Sequence, residues 1–253
     1  MIAQALGVLQ KPASKAEERL AALLAFDTSY LENYLECTSN PCWLVGVDEV
    51  GRGSAIGPVT ACAVAFQYPL SEITKAALVG LDDSKKLRPN LRQTLQTVIQ
   101  ANAYWALGEA TREEVDELNV YQASRLASSR AVSALWKRLQ GKDSNRAVIL
   151  LVDGNARLPE AWLTTVENGL TQYTVVKGDS QSLAIAAASV VAKETRDAWV
   201  RKIAMEYPNY RWETNMGYLT AAHRQALVDH GPTLWHRLNY KGVRPQTPSD
   251  DYL

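Results

Sequence analysis

Cysteine is scarce in this chain, and its arrangement removes two chemistries. Cys37, Cys42 and Cys62 are an odd number with no disulfide pattern. Cys37 and Cys42 are spaced like the start of a zinc site, but no second Cys or His pair follows at ligand spacing. Histidine is equally sparse, and His223, His230 and His236 form no HExxH arrangement. Net charge is absent too, 27 basic residues balancing 27 acidic ones, which argues against nucleic-acid binding by bulk charge. No apolar run approaches the ~20 residues that cross a bilayer, and the amino end lacks the sections of a signal peptide. Neither a serine nor a cysteine triad is evident. A soluble cytoplasmic protein is expected. At 253 residues the chain fits one large domain, or one with appendages, and 47% apolar content is ample for its core.

The stretch from Trp43 to Cys62, WLVGVDEVGRGSAIGPVTAC, organises the rest. Trp43 to Val47 read as a buried strand, interrupted by Asp48 and Glu49. An unpaired buried charge is very costly, and a bound cation or a raised pKa relieves it. Neighbouring strand residues face opposite ways, so the two acids share a site only if the strand ends or bulges there. Val50-Gly51-Arg52-Gly53 supplies that break, and its glycines leave backbone N–H groups open to a phosphate or sugar. Metal ligands beside a backbone cradle is one reading; a solvated strand end before a hairpin is the other.

Ahead of this stretch, residues 1–40 read as an appendage. Ser14 and Glu17 have capping-box spacing, and a second short helix is expected from Asp27 to Leu35. Ser39-Asn40-Pro41 reads as a turn. Beyond it, Val59 to Phe66 should pair back on the first strand. A short helix is plausible over 71–78. Asp83-Ser84-Lys85-Lys86-Leu87 is a cationic loop before a helix starting near Pro89, suited to phosphate contacts or simply exposed. A third strand is expected over 103–108, then helices over 111–118 and 119–139, with Asn119 as a cap.

Ala147 to Val152 has the unbroken apolar character of a strand buried on both faces, and ends at Asp153-Gly154. Tyr173 to Val176 is another strand, ending Lys177-Gly178-Asp179. Three strands thus finish on acids beside glycine, where α/β proteins place sites. Ser180 or Ser182 caps the next helix, whose Ala184–Ser189 run is small enough for close packing. Asp197 further along reads as a structural partner of Arg196 or Arg201. Tyr218, near the start of the next helix, faces a ligand or packs half-buried. Gly231-Pro232 stops that helix, and the tail from Pro245 should be mobile. Clusters at 85–92, 193–202 and 236–244 offer a basic groove on a neutral protein.

Asp48, Glu49, Asp153 and Asp179 would make an all-oxygen site of the kind hard divalent ions prefer. Mg²⁺ or Mn²⁺ there fits phosphodiester hydrolysis. Paired-carboxylate glycoside hydrolysis leaves the cationic loops and glycine cradle unexplained.

The chain resembles the bacterial ribonuclease HII family, the type 2 ribonucleases H, from about Trp43 to Val243. The resemblance rests on DEVGRG at 48–53, GP at 57–58, DSKKL at 83–87 and VDGN at 152–155. VKGDSQSLAIAAASVVAKETRD at 176–197, GYLT at 217–220 and HRLNYKGV at 236–243 complete it in order. It implies a monomeric metal-dependent endoribonuclease that cuts the RNA strand of RNA–DNA hybrids, leaving 5′-phosphates. It also implies cutting 5′ of ribonucleotides embedded in duplex DNA. The implied metal ligands are Asp48, Glu49, Asp153 and Asp179, binding Mg²⁺ or Mn²⁺. Gly51, Arg52 and Gly53 match the contacts to the ribose 2′-hydroxyl, Tyr218 the tyrosine at the RNA–DNA junction, and Ser84 and Lys85 the phosphate loop. Leu219 departs from the small residue usual after that tyrosine, and Tyr240 stands where a family aromatic is expected. The implied fold is α/β, a ribonuclease H-like mixed five-stranded sheet flanked by helices, with a helical carboxyl-terminal part. Units of 1–40, 41–206, 207–244 and 245–253 are expected. A hybrid-binding protein without catalysis, and a nuclease acting on DNA alone, are the rival classes. The four acids argue against the first, and the GRG stretch with Tyr218 against the second.

Overall fold

A computed structural model describes residues 13–38, 42–140, 147–163, 166 and 170–244. Helix α1 (Lys15–Thr38) precedes strand β1 (Cys42–Val50), and β2 (Val59–Ala65) returns antiparallel to it. Helices α2 (Glu72–Ala77) and α3 (Pro89–Asn102) lead to β3 (Tyr104–Ala110), antiparallel to β2. Helix α4 (Arg112–Gln140) crosses to β4 (Ala147–Asp153), which lies parallel to β1, and β5 (Leu170–Val175) continues parallel to β4. Helix α5 (Leu183–Ala204) follows, then the short α6 (Trp212–Asn215) and α7 (Ala221–His230). Among the described residues the strands form one mixed sheet in the order β3-β2-β1-β4-β5.

The unbroken apolar runs of β1 and β4 follow from burial on both faces. Val45, Val47, Val148, Leu150 and Val152 face α4, while Leu44, Ile149 and Leu151 face α5 and α1. Glycine sets how close the helices lie. A Cβ on Gly46 would stand 2.3 Å from the Ala184 backbone, and one on Gly108 would stand 2.2 Å from the Ala127 carbonyl. The small-residue start of α5 therefore sits directly on β1, as its composition suggests.

One helical expectation differs from the structure. Residues 27–35 do not start a second helix, because α1 runs unbroken through Asp27. Asp27 is fully buried, and its carboxylate accepts from the Ala184 N–H (2.9 Å) and the Tyr68 hydroxyl (2.8 Å). It caps α5 rather than its own helix. Asn119, at φ 66°, divides α4 as anticipated, its side chain accepting from the N–H groups of Tyr121 and Gln122. Ser14 and Glu17 exchange capping-box bonds. Cys37's side chain, the 39–41 turn and the tail from 245 lie outside what the structure describes.

A third apolar cluster joins the end of α5 to α6, α7 and the closing segment through Val200, Ile203, Tyr210, Trp212, Leu227 and Val243. It places Tyr218 beside the end of β1.

Candidate active site

β1 ends after Val50, and Gly51 turns the chain at φ 91°, as the glycine pattern predicts. The break falls later than sharing one face would need. Asp48 and Glu49 stay paired with Cys62 and Ala61 of β2, so their side chains leave opposite faces of the sheet. The parallel ladder with β4 ends at Val47–Val152, and one rung further Asp48 stands beside Asp153, on strands about 4.8 Å apart. Asp179 sits in the turn after β5, where the Gly178 N–H donates to Asp153 Oδ1 at 2.6 Å. Glu49 reaches the same end of the sheet from the α4 side. There it lines a cavity of about 70 Å³ with Asp153, Asn155, Tyr121, Ser124 and Ser128.

The electrostatics report this crowding. Burial pushes the Asp48 carboxyl well above the usual range, and the charges of Glu49, Asp153 and Asp179 push it further. Glu49 is raised by burial, partly offset by Arg52 at 3.2 Å. Asp179 is raised by burial and by Asp83 and Asp153, with Lys85 opposing. For Lys85, burial lowers the ammonium, but Asp48, Asp179, Asp83 and Asp153 outweigh it and raise it. Its Nζ lies 3.7 Å from Asp179 Oδ2. The acids converge without closing into a cage: among the described residues no three His, Cys, Asp or Glu groups stand close enough to coordinate one ion as they are. Hard oxygen donors, enclosed and mutually repelling, nonetheless fit a divalent cation that keeps part of its own water shell.

Ser84 is buried and exchanges a hydrogen bond with the Ser189 hydroxyl at 2.7 Å, so it faces the acids rather than open solvent. Arg92 is not part of an exposed basic patch. It is buried, donates to the Ser84 and Leu87 carbonyls, and pairs with Glu194 and Asp197. Asp197 keeps the structural role expected of it, but its partners are Lys193 (2.6 Å) and Arg92 (3.5 Å) rather than Arg196 or Arg201.

The glycine loop is held from beneath by two arginines that composition alone assigns to surface clusters. Arg237 is fully buried and donates to the carbonyls of Arg52, Ser54, Gly57 and Pro58. Arg196, also buried, donates to the Ile56 carbonyl (2.6 Å) and the Ser54 hydroxyl (3.1 Å) and stacks on Trp199. Burial lowers both guanidiniums, Arg196 to about 9. Tyr240 closes the loop by donating its hydroxyl to the Arg52 carbonyl. Arg52 itself remains exposed.

Tyr218 is half exposed, and its ring lies where a Cβ on Gly53 would come within 3.0 Å. The loop that carries it is fixed by the Ala55 N–H donating to the Gly217 carbonyl (2.8 Å). The helix behind it starts only at Ala221, capped by Thr220. Two buried histidines support it. The Trp212 indole and the Thr233 N–H donate to His223 Nε2 and His236 Nδ1 respectively. His236 therefore carries its proton on Nε2, facing His223 Nε2 at 3.0 Å, and His223 donates from Nδ1 to the Tyr218 carbonyl at 3.0 Å. No spacing rule reveals such a pair, because neither residue sits in a ligand motif.

A mixed five-stranded sheet with helices on both faces and acids at the carboxyl ends of its parallel strands is the ribonuclease H-like architecture. Ribonuclease H2 from Pyrococcus horikoshii OT3 shares it at TM-score 0.62 and 20% identity, over 79% of this chain and 95% of that one. Bst-RNase HIII in complex with Mn²⁺ shares it at TM-score 0.58 and 16% identity, over 92% and 72%. Within that class, the family model described as Ribonuclease HII matches residues 45–243. Ribonuclease HII of Paracoccus denitrificans is 43% identical over 203 residues, 79% of this chain and 86% of that protein. The chain belongs to the ribonuclease HII family. It is thereby an endoribonuclease, of a family that cuts RNA–DNA hybrids and needs a divalent metal.

Proposed function

We propose that this chain also cuts 5′ of single ribonucleotides embedded in duplex DNA, using Asp48, Glu49, Asp153 and Asp179 to hold two Mg²⁺ or Mn²⁺ ions. When bound, such ions lower the pKa of an attacking water and stabilise the leaving oxygen. The contact between Tyr218 and Gly53, beside the end of the strand that bears Asp48, carries this reading. The 2′-hydroxyl is what distinguishes ribose from deoxyribose. Gly53, exposed and without a side chain, leaves its backbone groups open to bond it, while Gly51, buried beside Arg196, turns the loop. Arg237, by occupying the loop's inner carbonyls, fixes which backbone groups face outward. Tyr218 stacks on the neighbouring sugar and so favours a ribose followed by DNA. Lys85 supplies positive charge for a phosphate beside Asp179. Ser84 positions the loop, and through Ser189 the Asp48 carboxylate.

The test is cleavage of duplex DNA carrying one ribonucleotide, beside an RNA–DNA hybrid, with Mg²⁺, Mn²⁺ or chelator. Metal-dependent incision 5′ of the ribonucleotide is expected. Hybrid cleavage with an intact single-ribonucleotide duplex would remove the junction reading while leaving the family activity in place.

A further inference from the structure

We propose that the amino-terminal helix is a positioning element of the active site, in which Arg19 clamps the loop bearing Lys85 to the turn bearing Asp179. This rests on the nuclease reading above. Helix α1 is seated firmly. Leu20 and Leu23 are buried against the core shared with α5, and Asp27 caps the first turn of α5, just beyond Asp179. That seat presents Arg19 to two segments far apart in sequence. Its Nε and Nη2 donate to Asp82 Oδ1 at 3.1 and 2.6 Å, and Nη2 also donates to the Ser180 carbonyl at 2.7 Å. Lys86 reinforces the bridge, donating to Ser180 Oγ at 3.1 Å and lying 3.5 Å from Asp82.

Asp82 stands three residues before Lys85, and Ser180 directly follows Asp179. Among the described residues no backbone hydrogen bond joins the two segments, so side chains set their spacing. Arg19 and Asp82 are both part exposed, and such pairs add little to global stability. Their effect is geometric: they fix the separation of Lys85 Nζ and Asp179 Oδ2. A guanidinium can serve two acceptors in fixed directions, which an ammonium does less well.

The experiment compares the full-length chain with R19A, R19K and the surface control K75A, which breaks an exposed Lys75–Glu72 pair. Hybrid cleavage, thermal unfolding and backbone hydrogen exchange are measured on each. R19A should lose about tenfold or more in kcat, with KM within about twofold and folding intact. Amides of 82–86 and 178–182 should exchange faster while those of the sheet do not. R19K should recover part of kcat, and K75A should match the wild type. Unchanged kcat, a loss matched by the unfolded fraction, or unchanged exchange in both segments would each overturn the clamp. If the wild type cut no hybrid, the nuclease reading would fall, and exchange alone would decide whether Arg19 joins the segments.

Discussion

A carboxylate as enclosed as that of Asp48, with three further acids nearby, is held in an unfavourable charge state at neutral pH. Its folded pKa is raised, so its ionised form opposes folding once pH exceeds the unfolded value. Asp48→Asn should therefore abolish cleavage yet raise the Tm measured in chelator, and Asp153→Asn should abolish cleavage with the fold intact. Lower stability together with lost activity in Asp48→Asn would mean that the residue is structural. Tyr218→Ala, on a half-exposed ring, should reduce kcat at a single embedded ribonucleotide more than it raises KM; an unchanged rate would reduce the tyrosine to packing. Residues such as Asp48 are legible in sequence because acids are rare at the end of an apolar run. Arg196, Arg237 and Arg92 are not, because the one-letter code records a charge but not its burial. Each sits among lysines and arginines that do face solvent, and only the carbonyls gathered around its guanidinium set it apart.

At the scale of elements, the three strands that end at or just before an acid are readable from their apolar runs, and the close-packing start of α5 from its alanines, whereas the order β3-β2-β1-β4-β5 emerges only from the structure. The place where a strand meets a helix is not readable either, since Gly46 looks like any glycine in a strand until α5 is seen 2.3 Å from where its Cβ would be. Gly46→Val should cost about 3 kcal/mol or more, because the new atoms meet backbone that cannot swing aside. Urea unfolding checks this, and a loss below about 1 kcal/mol would show that α5 can slide on the sheet. The continuity of α1 was hidden for a related reason. Asp27 has the chemistry of a helix start, and it does cap a helix, but one that lies far along the chain. Local pattern names the cap without naming what it caps.

For the whole molecule, acid stability is a contest between buried groups on different elements. Asp27 is raised by burial to about 6, so the stability it contributes is complete below its unfolded value near 3.8 and is lost as pH rises through 6. His236 is lowered by burial, and by the neighbouring His223, to about 4. Its contribution is present above 6.5 and is lost as pH falls toward 4. Each contribution is worth about 3 kcal/mol at most, and the two run in opposite directions across the same window. Between pH 6.5 and 4 they largely offset one another, so the wild-type slope alone is uninformative. Single variants separate them. Relative to wild type, Asp27→Asn should become progressively less stable as pH falls from 6.5 to 4, and His236→Asn progressively more stable. Urea midpoints at half-unit pH intervals measure both. Parallel curves for Asp27→Asn and wild type would mean that Asp27 titrates alike in the folded and unfolded chain, its charge compensated in the fold by the N–H groups at the start of α5 and the Tyr68 hydroxyl. α1 would then be joined to the catalytic sheet by a charge rather than by a proton.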